Sequence, residues 1–268
     1  MIIELSDFFN NPSIIDFGFI NIQYYALTWV ISALLIYQYL KRHPLLINMG
    51  LNVEKVNDMV FLYGLLFGAL VGGRVGYMLF YGTEQLISNP LSLVYIWQGG
   101  LSFHGGLLGV IIAMLVFANK NNLRFPQLMD PIALSMPIGL GIVRIGNFLN
   151  GELYGRPTEA GWGFIFPRDF DSLPRHPSQL YEFALEGVAL FVILHMVHKL
   201  KPRHGVTASS LLIGYGVMRF IVEFFREPDA HLGFITLQLT MGQLLCIPMI
   251  LVGIILVTYF SRRNATIS

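Results

Sequence analysis

The sequence is poor in charged residues and unusually rich in apolar ones. Only 12% of its 268 residues are charged, whereas soluble domains contain about twice that fraction. Hydrophobic residues make up 54% of the chain, and the mean hydropathy is +0.62. So much apolar surface must face lipid, so the composition predicts an integral membrane protein.

The other scarcities exclude several kinds of protein. The net charge is +1, and binding to nucleic acid needs clusters of Lys and Arg outside a membrane. The single cysteine, Cys246, allows neither an internal disulfide nor a cysteine-based zinc site, and we interpret it as a small core residue.

The N-terminus lacks the positively charged segment that opens a signal peptide. No metal or cofactor is implied, because the carboxylates and histidines have no ligand spacing and no nucleotide-binding glycine loop is present.

Apolar runs long enough to cross a bilayer recur along the chain. Such a helix needs about 20 apolar residues. We place seven spans, at residues 22–40, 59–81, 102–119, 130–150, 177–198, 207–227 and 237–260. Two hydrophilic segments, 82–101 and 151–176, form loops or partly structured caps. The prediction is an all-α polytopic bundle of seven transmembrane helices, in which residues 1–268 form a single integral membrane domain.

Two features qualify these spans. Pro131 and Pro137 interrupt the fourth span, which makes it the weakest of the seven. Along the second span, glycine recurs every fourth residue and forms a ridge that lets helices pack closely, with a similar small face in HGGLLG at 104–109. The ridge consists of Gly64, Gly68, Gly72 and Gly76.

Basic residues are concentrated in alternate connections between the spans. Ten of the seventeen, including all five lysines, are Lys41, Arg42, Lys55, Lys120, Arg124, Lys199, Lys201, Arg203, Arg262 and Arg263. The other connections contain only Arg156, Arg168, Arg175 and Arg226. Cytoplasmic loops are enriched in Lys and Arg. We therefore predict that the N-terminus and both hydrophilic segments lie outside and that the C-terminus is cytoplasmic.

Three arginines fall within spans: Arg74, Arg144 and Arg219. A charge at the centre of a bilayer costs about 2.5–3.5 kcal/mol on insertion scales, so such residues usually face a polar interior and serve function. A structural ion pair between helices is an equally good interpretation for one arginine. Three arginines favour a functional site.

The predicted orientation places the polar residues of six spans at one depth, in the outer half of the bilayer. These residues are Tyr25, Arg74, His104, Arg144, Asn147, Glu152, Glu182, Glu186, Tyr215, Arg219, Glu223 and Arg226. The four in the sixth span fall within an arc of about 80° on a helix. Scattered structural ion pairs would have no reason to share a depth, so the pattern predicts one polar site.

The segment RIGNFLNGELYG, residues 144–155, resembles the signature of the prolipoprotein diacylglyceryl transferase family. Four further segments resemble blocks of the same family in the same order. They are GGRVGYMLFY at 72–81, GGLSFHGGLLG at 99–109, RHPSQLYE at 175–182 and YGVMRFIVEFFREPD at 215–229. Together with the spans, these blocks cover most of the chain.

The resemblance implies a reaction and a location. A transferase of this family moves the diacylglyceryl group of phosphatidylglycerol to the lipobox cysteine of a preprolipoprotein, which forms a thioether and releases glycerol phosphate. This is the first step of bacterial lipoprotein maturation. The implied partners are phosphatidylglycerol, lipobox-containing preprolipoproteins and the lipid bilayer. The implied location is the bacterial inner membrane, with the outer segments in the periplasm.

The resemblance also implies the site residues, position by position. Those matching the signature are Arg144, Asn147, Glu152 and Gly155, and those matching other blocks are His104, Tyr215, Arg219 and Glu223. Tyr25, in QYYALTW at 23–29, matches the tyrosine of the family's first span. We assign catalytic roles to His104, Arg144, Arg219, Tyr25 and Glu223. We assign substrate binding to Arg144, Asn147, Glu152, Gly155, Arg74 and Tyr215.

The chemistry of the implied reaction gives these residues separate tasks. Arginine suits the departing phosphate because its planar fork binds phosphate oxygens bidentately and stays charged, so we expect Arg144 and Arg219 to grip it, with Arg74 a weaker candidate. Glu152 and Glu223 then orient the arginines, or simply neutralise them. Asn147 and Tyr25 fix the glycerol headgroup. His104 is the natural base for the thiol, although a role in headgroup binding stays open.

Three other classes of protein compete with this interpretation. A transporter or channel for an organic anion would use the arginines as counter-charges, but it predicts polar groups in the inner half of the spans as well. A non-catalytic lipid-binding scaffold explains the arginines but needs no histidine beside them. An intramembrane protease is disfavoured, because there is no GxSG motif and no aspartate pair within the spans.

Overall fold

The computed structural model describes residues 3–4, 13–16, 21–200, 202–228 and 233–262. Lys201 and Arg263, which contribute to the predicted orientation, lie outside the described residues, as do both chain ends. The structure is mostly helical in the part that it describes.

The described helices follow one another along the chain. They are α1 (Tyr24–Leu40), α2 (Pro44–Asn48), α3 (Val53–Phe80), α4 (Thr83–Ser88), α5 (Phe103–Lys120), α6 (Phe125–Leu149), α7 (Ser178–Lys199), α8 (Val206–Val222) and α9 (Met241–Arg262). Short 3₁₀ turns at Pro90–Val94 and Ile96–Gln98 separate α4 from α5. Helices α3 and α7 each contain a π-helical stretch, at Asp58–Val71 and Phe183–Ala189.

Five of the described helices are long and apolar enough to cross a membrane: α3, α5, α6, α7 and α9. Helices α1 and α8 are apolar but have only 17 residues each. Each of the seven predicted spans coincides with one of these helices, so the chain has the composition and architecture of a multi-pass helical membrane protein. The crossing of the bilayer by all seven stays a prediction.

The fourth predicted span differs from its helix. The helix α6 runs without a break from Phe125, five residues before the predicted start, and it contains Pro131 and Pro137. Proline removes one backbone donor from a helix, but neighbouring helices and side chains make up for this loss in membrane helices. The two prolines therefore do not interrupt the span.

In the described residues seven short strands accompany the helices, and the sequence did not predict them. Their bounds are β1 (Ile3–Glu4), β2 (Ser13–Asp16), β3 (Asn21–Gln23), β4 (Phe164–Ile165), β5 (Pro174–Arg175), β6 (Phe234–Thr236) and β7 (Leu239–Thr240). β4 pairs parallel with β1 and antiparallel with β5, and β2–β3 and β6–β7 are antiparallel pairs. The sheet around β4 gives the hydrophilic segment 151–176 its partial order. The all-α description needs this small correction.

The chain divides into two compact units. Residues 37–131 form one, in which α3 packs on α5 through glycines. A Cβ atom on Gly72 would lie 2.8 Å from the carbonyl oxygen of Gly105 and from the Cα atom of Gly109, and one on Gly68 would lie 2.8 Å from the Cα atom of Val110. The ridge of small residues thus allows the close packing that the sequence predicted.

The other unit contains residues 1–36 and 132–268. Here α6 meets α7 where Gly141 faces Gly187, and a Cβ atom on Gly141 would lie 3.2 Å from the Cα atom of Gly187. A Cβ atom on Gly216 of α8 would lie 3.4 Å from the carbonyl oxygen of Cys246 on α9. Cys246 itself is buried, as expected for a small core residue. These close approaches draw the polar residues of four helices together.

Candidate active site

Three arginines and three glutamates form one network of ion pairs in the unit of residues 1–36 and 132–268. Its members are Arg144 on α6, Glu182 and Glu186 on α7, Arg219 on α8, and Glu223 and Arg226 just after α8. The ion pairs run in alternation from Arg226 through Glu223, Arg219 and Glu182 to Arg144. Because opposite charges alternate, the six side chains balance one another in an apolar surrounding.

Glu182 lies at the centre of this network and holds two guanidinium groups. Its side chain is fully buried, and Arg219 Nη1 donates a hydrogen bond to Oε1. Arg144 Nε lies 2.7 Å from Oε2, but its N–H is not aimed at that oxygen, so the contact is an ion pair rather than a linear hydrogen bond. One carboxylate therefore fixes the distance between the two arginines.

Glu223 holds the other side of Arg219. It accepts hydrogen bonds from Arg219 Nη2, from Arg226 Nη1 at 3.3 Å and from the Thr240 hydroxyl at 2.8 Å. A Cβ atom on Gly242 would lie only 2.7 Å from the Glu223 carboxylate. The glycine in the first turn of α9 therefore leaves room for this carboxylate. The carboxylate is thus fixed in position by three donors.

Glu186 is the third carboxylate, and it is held less closely. Its Oε2 lies 3.6 Å from Arg144 Nη2, and its Oε1 lies 3.7 Å from Arg219 Nη1. The π-helical stretch Phe183–Ala189 carries it on α7. Such stretches are frequent at functional sites.

The arginines are the accessible part of the network. The side chains of Arg144 and Arg219 are 17% and 10% exposed, whereas those of Glu182 and Glu186 are 0% exposed. A ligand that approaches the network therefore meets guanidinium groups, with the carboxylates behind them. Two neighbouring guanidinium groups can bind a phosphate with several charge-assisted hydrogen bonds.

Asn147 links Arg144 to Glu152. Arg144 Nη1 donates to Asn147 Oδ1 at 3.4 Å, and Asn147 Nδ2 donates to Glu152 Oε1 at 2.9 Å. Glu152 therefore acts on the arginine through the amide, and not by the direct contact that the sequence suggested. Asn147 is itself buried.

The loop that follows α6 is fixed by the start of α7. Gln179 Nε2 donates to the Glu152 carbonyl at 2.7 Å, and the Ser178 hydroxyl donates to the Leu153 carbonyl at 3.0 Å. The N–H of Gly155 donates to the His176 carbonyl at 2.8 Å, and a Cβ atom there would lie 2.6 Å from the Cβ atom of His176. Gly155 thus permits a close backbone approach.

The two predicted tyrosines lie in the same unit as the network. The Tyr25 ring packs edge-on against Trp29, and the Tyr25 carbonyl accepts a hydrogen bond from the Thr28 hydroxyl at 2.7 Å. Tyr215 on α8 is largely buried, and the charges of Glu186 and Arg219 act on its hydroxyl.

Arg74 belongs to the unit of residues 37–131. Its side chain is buried, and its guanidinium donates to the carbonyl groups of Ser92 at 2.6 Å, Leu93 at 3.3 Å, Gly100 at 3.2 Å and Gly99. These four bonds occupy the guanidinium and hold the segment before α5 in place.

His104 belongs to the same unit as Arg74. It is exposed at the second residue of α5, which begins after Ser102, whose hydroxyl accepts a hydrogen bond from the Gly105 N–H at 3.3 Å. The Phe103 ring packs edge-on against the His104 ring. The imidazole of His104 therefore lies at the N-terminal end of a helix that the Ser102 side chain caps.

A second polar cluster lies outside the spans and was not predicted. Arg175 forms ion pairs with Asp169, with Asp171 at 3.3 Å and with Glu227 at 3.1 Å, and it lies 4.9 Å from the centre of the Tyr154 ring. Burial alone would raise the pKa of Asp169, but the hydrogen bond and the charge of Arg175 outweigh it and lower this pKa below its ordinary value. The cluster fastens the segment 151–176 to the chain that follows α8.

The sequence prediction missed several members of the site. Glu182 and Glu186 were grouped with the other polar residues of the spans but received no role, and Arg226 and Thr240 were not assigned either. A signal existed for the two glutamates, because carboxylates four residues apart in an apolar span are as costly as arginines and lie on one helix face. No group of three or more His, Cys, Asp or Glu residues in the described ranges could hold a metal ion.

Fold and site together define a multi-pass helical membrane protein with a pair of partly exposed guanidinium groups held by buried carboxylates. Residues 12–259 match the prolipoprotein diacylglyceryl transferase family, which is most of the chain. The chain therefore belongs to the prolipoprotein diacylglyceryl transferase family.

Curated relatives agree over nearly the whole length. The phosphatidylglycerol–prolipoprotein diacylglyceryl transferase of Cupriavidus metallidurans is 46% identical over 258 residues, which cover 95% of this chain and 94% of the relative. The protein of the same name from Bordetella bronchiseptica is 46% identical over 257 residues, which cover 94% and 96%. That from Pseudomonas putida is 52% identical over 217 residues, which cover 80% of each chain.

Proposed function

We propose that this chain is an enzyme that transfers the diacylglyceryl group of phosphatidylglycerol to the lipobox cysteine of preprolipoproteins. The observation that carries the proposal is the pair of guanidinium groups, Arg144 and Arg219, that share the buried carboxylate of Glu182 and are themselves partly exposed. This arrangement fits a phosphodiester, and the membership of the family supplies the reaction.

The reaction exchanges one bond for another at a glycerol carbon. The cysteine sulfur forms a bond to the carbon, and the bond from that carbon to the phosphate oxygen breaks. Its electron pair leaves with glycerol phosphate, and the thiol proton passes to a base. The thiolate is the reactive form, and a free thiol has a pKa of about 8.5, so a base or a nearby cation is required.

Arg144 and Arg219 stabilise the departing phosphate. Fixed donors in a site with little water are worth about 2.7–4 kcal/mol each in comparable sites, and the guanidinium fork aligns with the phosphate oxygens. Asn147 holds Arg144, with Glu152 behind it, and Glu223 holds Arg219. Each arginine is thus held in position by its own set of hydrogen bonds.

The remaining residues bind the substrate and accept the proton. Tyr25, Asn147 and Tyr215 hold the glycerol headgroup, and Gly155 keeps the signature loop in its close packing. His104 is the base, because imidazole accepts protons near neutral pH. Arg74 holds the segment before α5 through its four hydrogen bonds.

The topology follows from the apolar helices and the basic connections. All seven long helices cross the bacterial inner membrane and form one membrane domain, with the N-terminus in the periplasm and the C-terminus in the cytoplasm. The segments 82–101 and 151–176 are periplasmic. Both substrates are membrane-bound, so they reach the site laterally from the outer leaflet.

Transfer to a peptide tests the proposal. Purified protein in detergent receives phosphatidylglycerol labelled in its acyl chains, together with a lipobox peptide or with the same peptide carrying Ser in place of Cys. Label in the cysteine peptide alone supports the transferase. Arg124 is exposed and serves as the control. If label is lost with Arg144→Ala but kept with Arg124→Ala, the transfer reaction requires Arg144.

The alternatives predict different results in the same experiment. A folded protein that binds the lipid but labels no peptide would be a lipid-binding scaffold. Movement of the lipid or of an organic anion across vesicles without any labelled peptide would indicate a transporter. Either result overturns the proposal.

A further inference from the structure

Glu186 differs from the other carboxylates of the ion-pair network. Glu182 and Glu223 each accept a hydrogen bond from Arg219. Neither oxygen of Glu186 has a hydrogen-bond partner among the residues that the structure describes, and its side chain is fully buried. The nearest guanidinium nitrogens lie 3.6 Å and 3.7 Å from its carboxylate oxygens.

The charges of the network balance before any ligand binds. Three arginines face three glutamates, and a bound phosphodiester brings one further negative charge. An uncompensated charge away from water is costly. One carboxylate must therefore become neutral, and the carboxylate without hydrogen bonds loses least by doing so.

We propose that Glu186 takes up one proton from water when the phosphodiester binds to Arg144 and Arg219. The inference rests on the proposed function, which supplies the lipid. The proton adds to the carboxylate and gives a neutral acid, with no other bond changed. The groups that act on Glu186 from the surrounding helices are Arg144 on α6, Glu182 on α7, Tyr215 and Arg219 on α8, and Cys246 on α9.

The proposal gives a definite sign for the effect of pH. When binding takes up a proton, a higher pH opposes binding, so the Kd for phosphatidylglycerol rises with pH. The limit is about tenfold per pH unit for one proton. The arginines remain charged throughout this range.

The experiment measures binding without a peptide, so that no turnover occurs. Calorimetry of phosphatidylglycerol binding in detergent, in two buffers with different heats of ionisation, gives the number of protons taken up. It is run with the wild-type chain, with Glu186→Gln and with Glu159→Gln, whose glutamate is exposed in the segment 151–176. We expect close to one proton for wild type and for Glu159→Gln, and none for Glu186→Gln.

Affinity provides the second measurement. The Kd of Glu186→Gln should stay near the low-pH value of the wild type across the range, so that this variant binds at least about tenfold more tightly at the upper end. Proton uptake that is absent in the wild type, or unchanged in Glu186→Gln, overturns the inference. If Glu186→Gln does not fold, the wild-type proton count decides alone.

These results separate the inference from the proposed function. Proton uptake on binding, without transfer of label to a cysteine peptide, supports the role of Glu186 and refutes the transferase. Transfer of label with no proton taken up on binding supports the transferase and refutes the role of Glu186.

Discussion

Replacing Glu182 by glutamine tests whether one shared carboxylate aligns the two arginines. Glutamine keeps the shape of the side chain but has only one acceptor oxygen, so its NH₂ group must face Arg144 or Arg219. Removing one partner of a buried ion pair costs about 3–5 kcal/mol. If about 3 kcal/mol of this is lost from the transition state, kcat/KM falls by roughly 100-fold, because about 1.4 kcal/mol corresponds to a factor of ten.

The shorter carboxylate of Glu182→Asp provides a graded comparison. It keeps the charge but reaches only one guanidinium at a time, so we expect a loss of kcat/KM of about tenfold, between wild type and Glu182→Gln. The assay is transfer of acyl label to a lipobox peptide, beside thermal unfolding in the same detergent. A folded Glu182→Gln variant with kcat/KM within about twofold of wild type would refute the reasoning.

Four further predictions follow from the same contacts. Arg144→Lys keeps the charge but not the fork, so transfer should fall by about 100-fold while the thermal unfolding temperature stays near that of wild type. Gly155→Ala places a methyl group against a neighbouring backbone, so the unfolding temperature and the transfer rate should both fall. Arg74→Ala removes the donor to four carbonyl groups, of which that of Ser92 is buried, and limited proteolysis between residues 92 and 100 should become faster. The ion pair of Asp169 with Arg175 stabilises the fold above the ordinary carboxylate pKa of about 3.9 and is lost as pH falls through the lower folded pKa of Asp169. Proteolysis of the segment 151–176 should accelerate at that acid limit, and Asp169→Asn should remove the dependence.

The apolar helices could be predicted from the sequence because bilayer thickness fixes their length. All seven runs coincide with a described helix, and the boundaries differ by only a few residues. The largest differences are at the starts of α3 and α6, which begin at Val53 and Phe125, and α6 also continues through two prolines. Local propensity indicates a break there, but contacts with other helices decide the outcome in a membrane. The π-helical stretches and the two-residue strands depend on such contacts too, so no local pattern predicts them.

The sequence identified some members of the ion-pair network, but it did not predict how they pair. The cost of a charge within an apolar span identified Arg144 and Arg219 from their positions in the sequence, and resemblance to the family added Glu152. The direct partner of Arg144 is instead Glu182, on another helix. The close contact of α6 with α7, at Gly141 and Gly187, decides this pairing. Two glycines 46 positions apart give no local sign that they touch.

For Glu152 and Glu223 the sequence left two roles equivalent, neutralising an arginine and orienting it. The same question arises for Glu182, and there the geometry of its contacts bears on it. A carboxylate that served only to neutralise would close the guanidinium fork with two parallel hydrogen bonds. Arg144 has no such partner: Glu182 lies beside Nε, and Nη1 donates to the neutral amide of Asn147. The terminal nitrogens therefore keep donor capacity in a side chain that is 17% exposed. Glu182 thus orients the fork and leaves it available to an anion, which is the arrangement that phosphate recognition requires.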